Sequence, residues 1–300
     1  MIPAALALIF AASAAAQSSS SATATATANP YIPTGISSSC SSFLGTLNTD
    51  TSLSECTSAI IKASSEFGPA GNFSNGASKT DVSNALGNIC STSTTSACPQ
   101  SLITGKLANF YTECGPELIS SPNAEVLTIY DTIYGFLPFL SSVCAKDDSG
   151  DWCVLNENTT TPSSAITTRS LYRRDDSEVA YMPNAATINK ENLLFLLLNG
   201  SLPEAQLCTS CTRSVLSSYV TFESSTNYAP GLAQSVLMSG QSTLYNSVLS
   251  TCGSSFLSGA VSAAGGLGEG SSKGESGALS LRASGLLVSL GALSVAVTML

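Results

Sequence analysis

The residues best equipped for chemistry in this chain are its ten cysteines, and the side chain most often paired with a reactive thiol is missing, because the sequence contains no histidine. Without an imidazole, Ser-His-Asp and Cys-His nucleophilic catalysis are excluded. So are zinc sites with histidine ligands and the histidine-brace copper site of lytic polysaccharide oxygenases. No metal and no cofactor is expected. The cysteines are Cys40, Cys56, Cys90, Cys98, Cys114, Cys144, Cys153, Cys208, Cys211 and Cys252. An even number predicts up to five disulfides where the compartment is oxidising, each worth about 2–4 kcal/mol through loop closure. Their spacing leaves the pairing open.

Two weaker chemistries remain. Cys208-Thr209-Ser210-Cys211 is a CxxC pair near the start of a predicted helix, where the helix dipole would lower a thiol pKa and favour redox exchange. No strand precedes it as in a thioredoxin-like unit, so a structural role for both thiols is the stronger expectation. Paired carboxylates hydrolyse glycosides without histidine, and Glu113, Glu117, Asp131, Asp147, Asp148, Asp151 and Asp175 are available. Such enzymes usually also offer aromatic platforms, yet the single tryptophan, Trp152, adjoins Cys153, where packing on a disulfide is its expected role. No catalysis is expected; a carboxylate-based wall-polysaccharide enzyme and a thiol oxidoreductase are the alternatives.

The elements that would position these residues read as helices. Leu53, Cys56, Ile60 and Ala63 recur at helical spacing behind the capping pattern Ser52-Leu53-Ser54-Glu55. Ile103, Leu107, Phe110, Tyr111 and Cys114 repeat the stripe. Ser121-Pro122 predicts the start of a helix that carries Val126 to Leu137, is kinked at Pro138 and closes on Val143-Cys144. Periodicity resumes over 191–198, 203–222 and 232–252, with Gly253 as the stop. The expected fold is all-α, a disulfide-stapled helical domain. A faint echo between Leu140–Cys144 and Val248–Cys252 suggests two related halves.

The ends read as export signals. Residues 1–16 resemble a signal peptide with a cut after Ala16. Residues 17–39 form a Ser/Thr-rich stalk with too little apolar surface to fold. The cysteine-containing helical region then runs over 40–153, an exposed linker over 154–190, and a second helical region with the CxxC over 191–255. A Gly/Ser-rich stretch, 256–276, offers Gly270, Ser272 and Gly274 as attachment residues for a glycosylphosphatidylinositol (GPI) anchor. Residues 277–300 supply the spacer and apolar tail that anchoring would remove. Asn72, Asn158 and Asn199 head N-glycosylation sequons. Arg173-Arg174 in the linker is a dibasic site of the kind that kexin-type proteases cut, or a solvated charge cluster. With 10% charged residues and a net charge of −9, the chain has no means of neutralising a row of phosphates, so nucleic acid is excluded as a partner.

The alanine-rich leader, Ser/Thr stalk, scattered cysteines and anchor-like tail resemble the GPI-anchored surface proteins of filamentous fungi. Within residues 40–255, the segment Cys208–Cys252 is similar to one of their cysteine-containing domains of unknown function. The resemblance implies residence on the outer face of the plasma membrane or in the cell wall, a membrane contact through lipid only, and transfer of the anchor remnant to wall glucan. It implies no assigned activity and leaves any protein or glycan ligand unknown. The spacing departs from the eight-cysteine CFEM and the hydrophobin patterns, so haem binding and surface assembly are not carried over.

Overall fold

Helices in this chain start where a short polar side chain can take up amide hydrogens that have no intrahelical partner. In the computed structural model, which describes residues 32–67, 72, 77–155, 172–175, 178–183, 185–190, 192–257 and 285–286, Ser37 caps α1 (Ser38–Leu47). Asp50 caps α2 (Thr51–Ser64). Ser78 caps α3 (Lys79–Ile89) in a reciprocal box with Asp81. Ser91 caps α4 (Thr92–Ala97), and α5 (Gln100–Gly115) opens behind Pro99. A π-helical turn, Pro116–Ser120, leads to α6 (Ala124–Val143), capped by Asn123.

The chain then forms a short strand, β1 (Cys144–Ala145), and an antiparallel ribbon of β2 (Tyr172–Asp175) and β3 (Glu178–Pro183). α7 (Ala185–Lys190), α8 (Glu204–Leu207), α9 (Ser210–Ser225) and α10 (Gln241–Cys252) follow. A last strand, β4 (Gly285–Leu286), pairs antiparallel with β1. The protein is all-α apart from these two small ribbons among the described residues.

α6 is the axis. It is apolar on most of its circumference and is buried from Val126 through Phe136 and again at Pro138, Phe139 and Leu140. A helix that is apolar all round must be covered on all sides. Here α5 and α9 pack along it, and one continuous core joins Cys40 to Leu257. Among the described residues it is also the one helix long and apolar enough to cross a membrane, yet 89% of that stretch is buried inside the protein. An aromatic chain runs through the contact: Phe43 meets Phe110 edge-on, Phe110 meets Tyr130, and Tyr228 sits edge-on to both Tyr130 and Tyr134.

Several boundaries differ from the sequence expectation. Ser52 lies inside α2, whose cap is Asp50, because the carboxylate two residues earlier reaches the Leu53 N–H. α6 begins after Asn123, whose Oδ1 accepts from the Glu125 and Val126 N–H groups, instead of at Pro122. It continues through Pro138 to Val143 as a single helix. Tyr111 is 46% exposed while Phe110 is fully buried, so the stripe on α5 passes through Phe110 alone of the two.

The leucine run after Glu191 is no regular helix. It is a 3-10 turn, Leu193–Phe195, bounded by left-handed residues Asn192, Leu196 and Leu197. Leu196 and Leu197, in left-handed backbone, each cost about 1–2 kcal/mol of strain. Burial of Leu193, Phe195, Leu196 and Leu198 in the core offsets that strain. The stretch predicted as helix over 232–252 is helical only as a 3-10 turn, Leu232–Gln234, and then from Gln241; Gly253 ends it with φ +86° as expected.

The inward turn of Phe110 and the outward turn of Tyr111 predict opposite mutational responses. Phe110→Ala should lower unfolding stability by about 3–5 kcal/mol in denaturant titration with disulfides intact, whereas Tyr111→Ala should stay within about 0.5 kcal/mol. The reverse order would mean that this face of α5 is rotated by one residue.

Candidate functional site

The cysteines divide into pairs that the sequence left open. Cys40 bonds Cys114, tying α1 to α5, and Cys56 bonds Cys98, tying α2 to the end of α4. Cys153 bonds Cys211, and Cys208 bonds Cys252, tying the start of α9 to the end of α10. The CxxC residues therefore do not bond each other. Thr209 caps α9 between them, so Cys211 enters the helix while Cys208 stays outside it facing α10. The redox pair weighed from the sequence is not assembled in this state. Cys90 and Cys144, at the ends of α3 and α6, face each other as thiols with their sulfurs 2.7 Å apart. Burial and the neighbouring Cys144 push the Cys90 thiol pKa far up.

The carboxylates scatter. Asp131 lies fully buried in the middle of α6, where it accepts hydrogen bonds from the Tyr228 hydroxyl, the Ser235 hydroxyl at 2.9 Å, and the Val236 and Leu237 N–H groups at 2.6 and 2.9 Å. Burial raises its pKa against the pull of those donors. It pins the loop between α9 and α10 and is closed to substrate. Glu117, in the π turn, is buried and accepts the Ser37 N–H at 2.6 Å. Asp147 accepts the N–H groups of Ser149 and Asp151 in the tight turn that also carries Asp148. Glu113 is half-buried on α5, and Asp175 lies in β2. Trp152 takes the Lys146 ammonium over its ring at 4.2 Å. No group of three or more Cys, Asp or Glu suited to a metal ion occurs among the described residues.

Of the other sequence-predicted positions, Asn72 and Asn199 are both exposed. Arg173 and Arg174 lie in β2, with Arg173 opposite Met182 and an irregularity in register between Arg173 and Asp175. Asn158, Gly270, Ser272 and Gly274 lie outside the described residues.

A cleft of about 600 Å³ that sequence reasoning missed opens between α2, α3 and α4. α2 contributes Lys62 and Ala63, the turn after it Glu66 and Phe67, α3 Asp81, Asn84 and Asn88, and α4 with its cap Ser91, Ser93 and Thr94. Leu86 and Ile89 hold α3 in the core, which turns Asn84 and Asn88 outward into the opening. Among the described residues those two side-chain amides make no hydrogen bond, whereas Ser91 and Thr94 bond back to the Asn88 carbonyl. Glu66 accepts from the Asn72 side-chain amide at 2.5 Å, which places Asn72 beside the cleft wall. The lining comes from separate helices with no shared motif. Only the alternation of buried Ala85, Leu86 and Ile89 with outward Asn84 and Asn88 hinted at a polar face.

The chain matches, over residues 26–261, the model of a family described as Domain of unknown function (DUF7729). The chain belongs to that family. No curated protein and no solved structure matches it. The DUF7729 domain as described thus covers α1 to α10 and all four disulfides.

One titratable contact stands apart from the cleft. Glu223 on α9 accepts a 2.7 Å hydrogen bond from the Gln241 side chain on α10, and burial pushes its pKa up to about 7 from 4.5. Gln241 Oε1 is buried with no partner among the described residues. A raised carboxyl pKa means the folded protein holds the proton more tightly than the unfolded chain. Glu223 therefore stabilises fully below about 4.5 and loses that contribution as pH rises through about 7.

Two outcomes follow from these contacts. Between pH 5 and 7.5 the unfolding free energy from denaturant titration should fall, with a limiting slope of about 1.4 kcal/mol per pH unit from this group, and Glu223→Gln should flatten the fall; an unchanged slope in the variant would remove Glu223 as its source. Alkylation of the denatured, unreduced protein from an oxidising host should label no thiol, because Cys90 and Cys144 are already opposed. Two labelled cysteines at those positions would mean that the pair stays reduced.

Proposed function

We propose that this DUF7729 protein is an exported cell-surface or cell-wall glycoprotein, of the kind borne by filamentous fungi, whose stapled helical domain has a structural or recognition role. The observation that carries the reading is the disulfide framework. Four bonds with sequence separations of 42 to 74 residues staple helices that are short and hydroxyl-rich, and such bonds persist in oxidising, extracellular compartments. The leader over 1–16 and the Gly/Ser stretch before an apolar tail supply the expected route and a GPI anchor. Gly285–Leu286 belongs to the tail that anchoring would remove, so the mature protein would present β1 with an open edge. The anchor remnant, at the membrane or transferred to wall glucan, would be its attachment. No nucleic-acid partner is proposed, and membrane contact is through lipid alone.

A carboxylate-based wall-polysaccharide enzyme is the second reading, favoured only by Glu66 and Asp81 in the cleft. Both are already engaged, Glu66 by Asn72 and Asp81 by the cap of α3.

Non-reducing peptide mass mapping of the protein purified from its own cells tests the first reading. The expected result is an N-terminus near Gln17, paired cysteines and a lipid- or glucan-derived remnant between Gly270 and Ser276. An intact Leu300 on the mature chain would overturn anchoring. Release of oligosaccharides from wall glucans, mannans or chitin would overturn the non-enzymatic role in favour of the second.

A further inference from the structure

We propose that the cleft between α2, α3 and α4 is the seat of the protein's own N-glycan, attached at Asn72 and packed by its first sugars against Phe67, Asn84 and Asn88. The inference rests on export through a glycosylating pathway and goes beyond it by assigning an occupant to the cleft.

Three observations bear on it. Asn72 is exposed, as a sequon must be for modification, and its Nδ2, the atom that receives the sugar, donates to Glu66 Oε2 at 2.5 Å. The Asn72 backbone N–H approaches the same oxygen at 3.4 Å. Glu66 is itself part of the cleft wall, so this contact orients the acceptor amide at the rim. Glycosylation replaces one of the two Nδ2 hydrogens and leaves the other to donate to Glu66, so the orienting contact survives.

The lining also suits a sugar. A pyranose ring presents an apolar face with hydroxyls around its edge. The cleft is lined by the Phe67 ring, by the amides of Asn84 and Asn88, which have no hydrogen-bond partner among the described residues, and by the hydroxyl of Ser93. Its volume of about 600 Å³ lies within the range of sites that hold compact ligands. Asn199 has different surroundings. Its Oδ1 is taken up by the Ser201 N–H and hydroxyl at 3.0 Å in a local turn, whereas Asn72 bonds Glu66, a residue that lines the cleft.

Packing sugar into the cleft predicts protection of one glycan relative to another in the same molecule. The full chain, secreted from a eukaryotic host, would be treated undenatured with a peptide-N-glycosidase in heavy-oxygen water, and release followed site by site through peptide masses. The Asn72 glycan should leave at least tenfold more slowly than the Asn199 glycan. Asn84→Ala with Asn88→Ala should bring the two rates together. Both positions are exposed helix sites where alanine is the better helix former, so the variant should fold. Equal rates in the unmodified chain, or slow release at Asn72 that the double variant leaves unchanged, would overturn the proposal. A glycan on Asn199 with none on Asn72 would overturn it while leaving export intact. Absence of glycan from both sites would overturn it and count against export as well.

Discussion

Everything in this fold answers to the burial of α6. A 20-residue helix whose apolar surface runs around most of its circumference has to be covered from several directions at once. The chain meets that demand by laying α5 along one side and α9 along another. Covering the helix also traps a charge-bearing residue, Asp131, where an unpaired carboxylate would be very costly. Four donors from the segment between Tyr228 and Leu237 converge on it. The same contact closes that loop over α6, so a single buried acid both requires and fixes the loop. It also explains why a carboxylate that looked available for hydrolysis is structural.

The peripheral helices have a different problem. They are rich in serine and threonine, which compete with the backbone for hydrogen bonds and form helices poorly. Here many of those hydroxyls turn back onto the helix: Thr57 donates to the Leu53 carbonyl, Ser64 to Ile60, Thr104 to Gln100, Thr112 to Ala108 and Ser217 to Arg213. Charge contributes little; Lys106 with Asp50 is the ion pair seen among the described residues, with about a fifth of each side chain exposed. Disulfides supply the constraint that charge and helix propensity do not. Cys56–Cys98 draws α4 against α2, and α3 packs beside them, leaving the cleft between the three helices. The cleft is thus a consequence of stapling small helices whose inner faces are apolar and whose outer faces carry amides and hydroxyls.

The proposed surface role fits these physical traits. A domain held by covalent staples and covered with hydroxyls is suited to an oxidising, proteolytic exterior where solvation comes from sugar more than from charge. Seating a glycan against α3 would extend the same principle, with sugar covering polar surface that side chains leave open.

The helical class was legible from the spacing of Leu53, Cys56 and Ile60 and of Val126, Ile129 and Ile133, because an apolar stripe at helical period has one stable way to bury itself. Gly253 as a stop was legible for the same local reason, since only glycine takes φ +86° without strain. Helix starts were less so, because Asp50, Ser52, Asn123 and Ser121 all make plausible caps and the choice falls to whichever oxygen the folded backbone presents to a free N–H. The leucine run after Glu191 misled because apolar content marks burial and not conformation; its left-handed turn exists only where surrounding core can offset the strain. Composition alone determined that histidine chemistry is excluded and that the cysteines could pair. Which cysteines meet, that Cys208 and Cys211 part company, and that Glu66, Asn72, Asn84 and Asn88 come together were decided by tertiary packing, because each depends on residues brought into contact across separate elements rather than on neighbours in the chain.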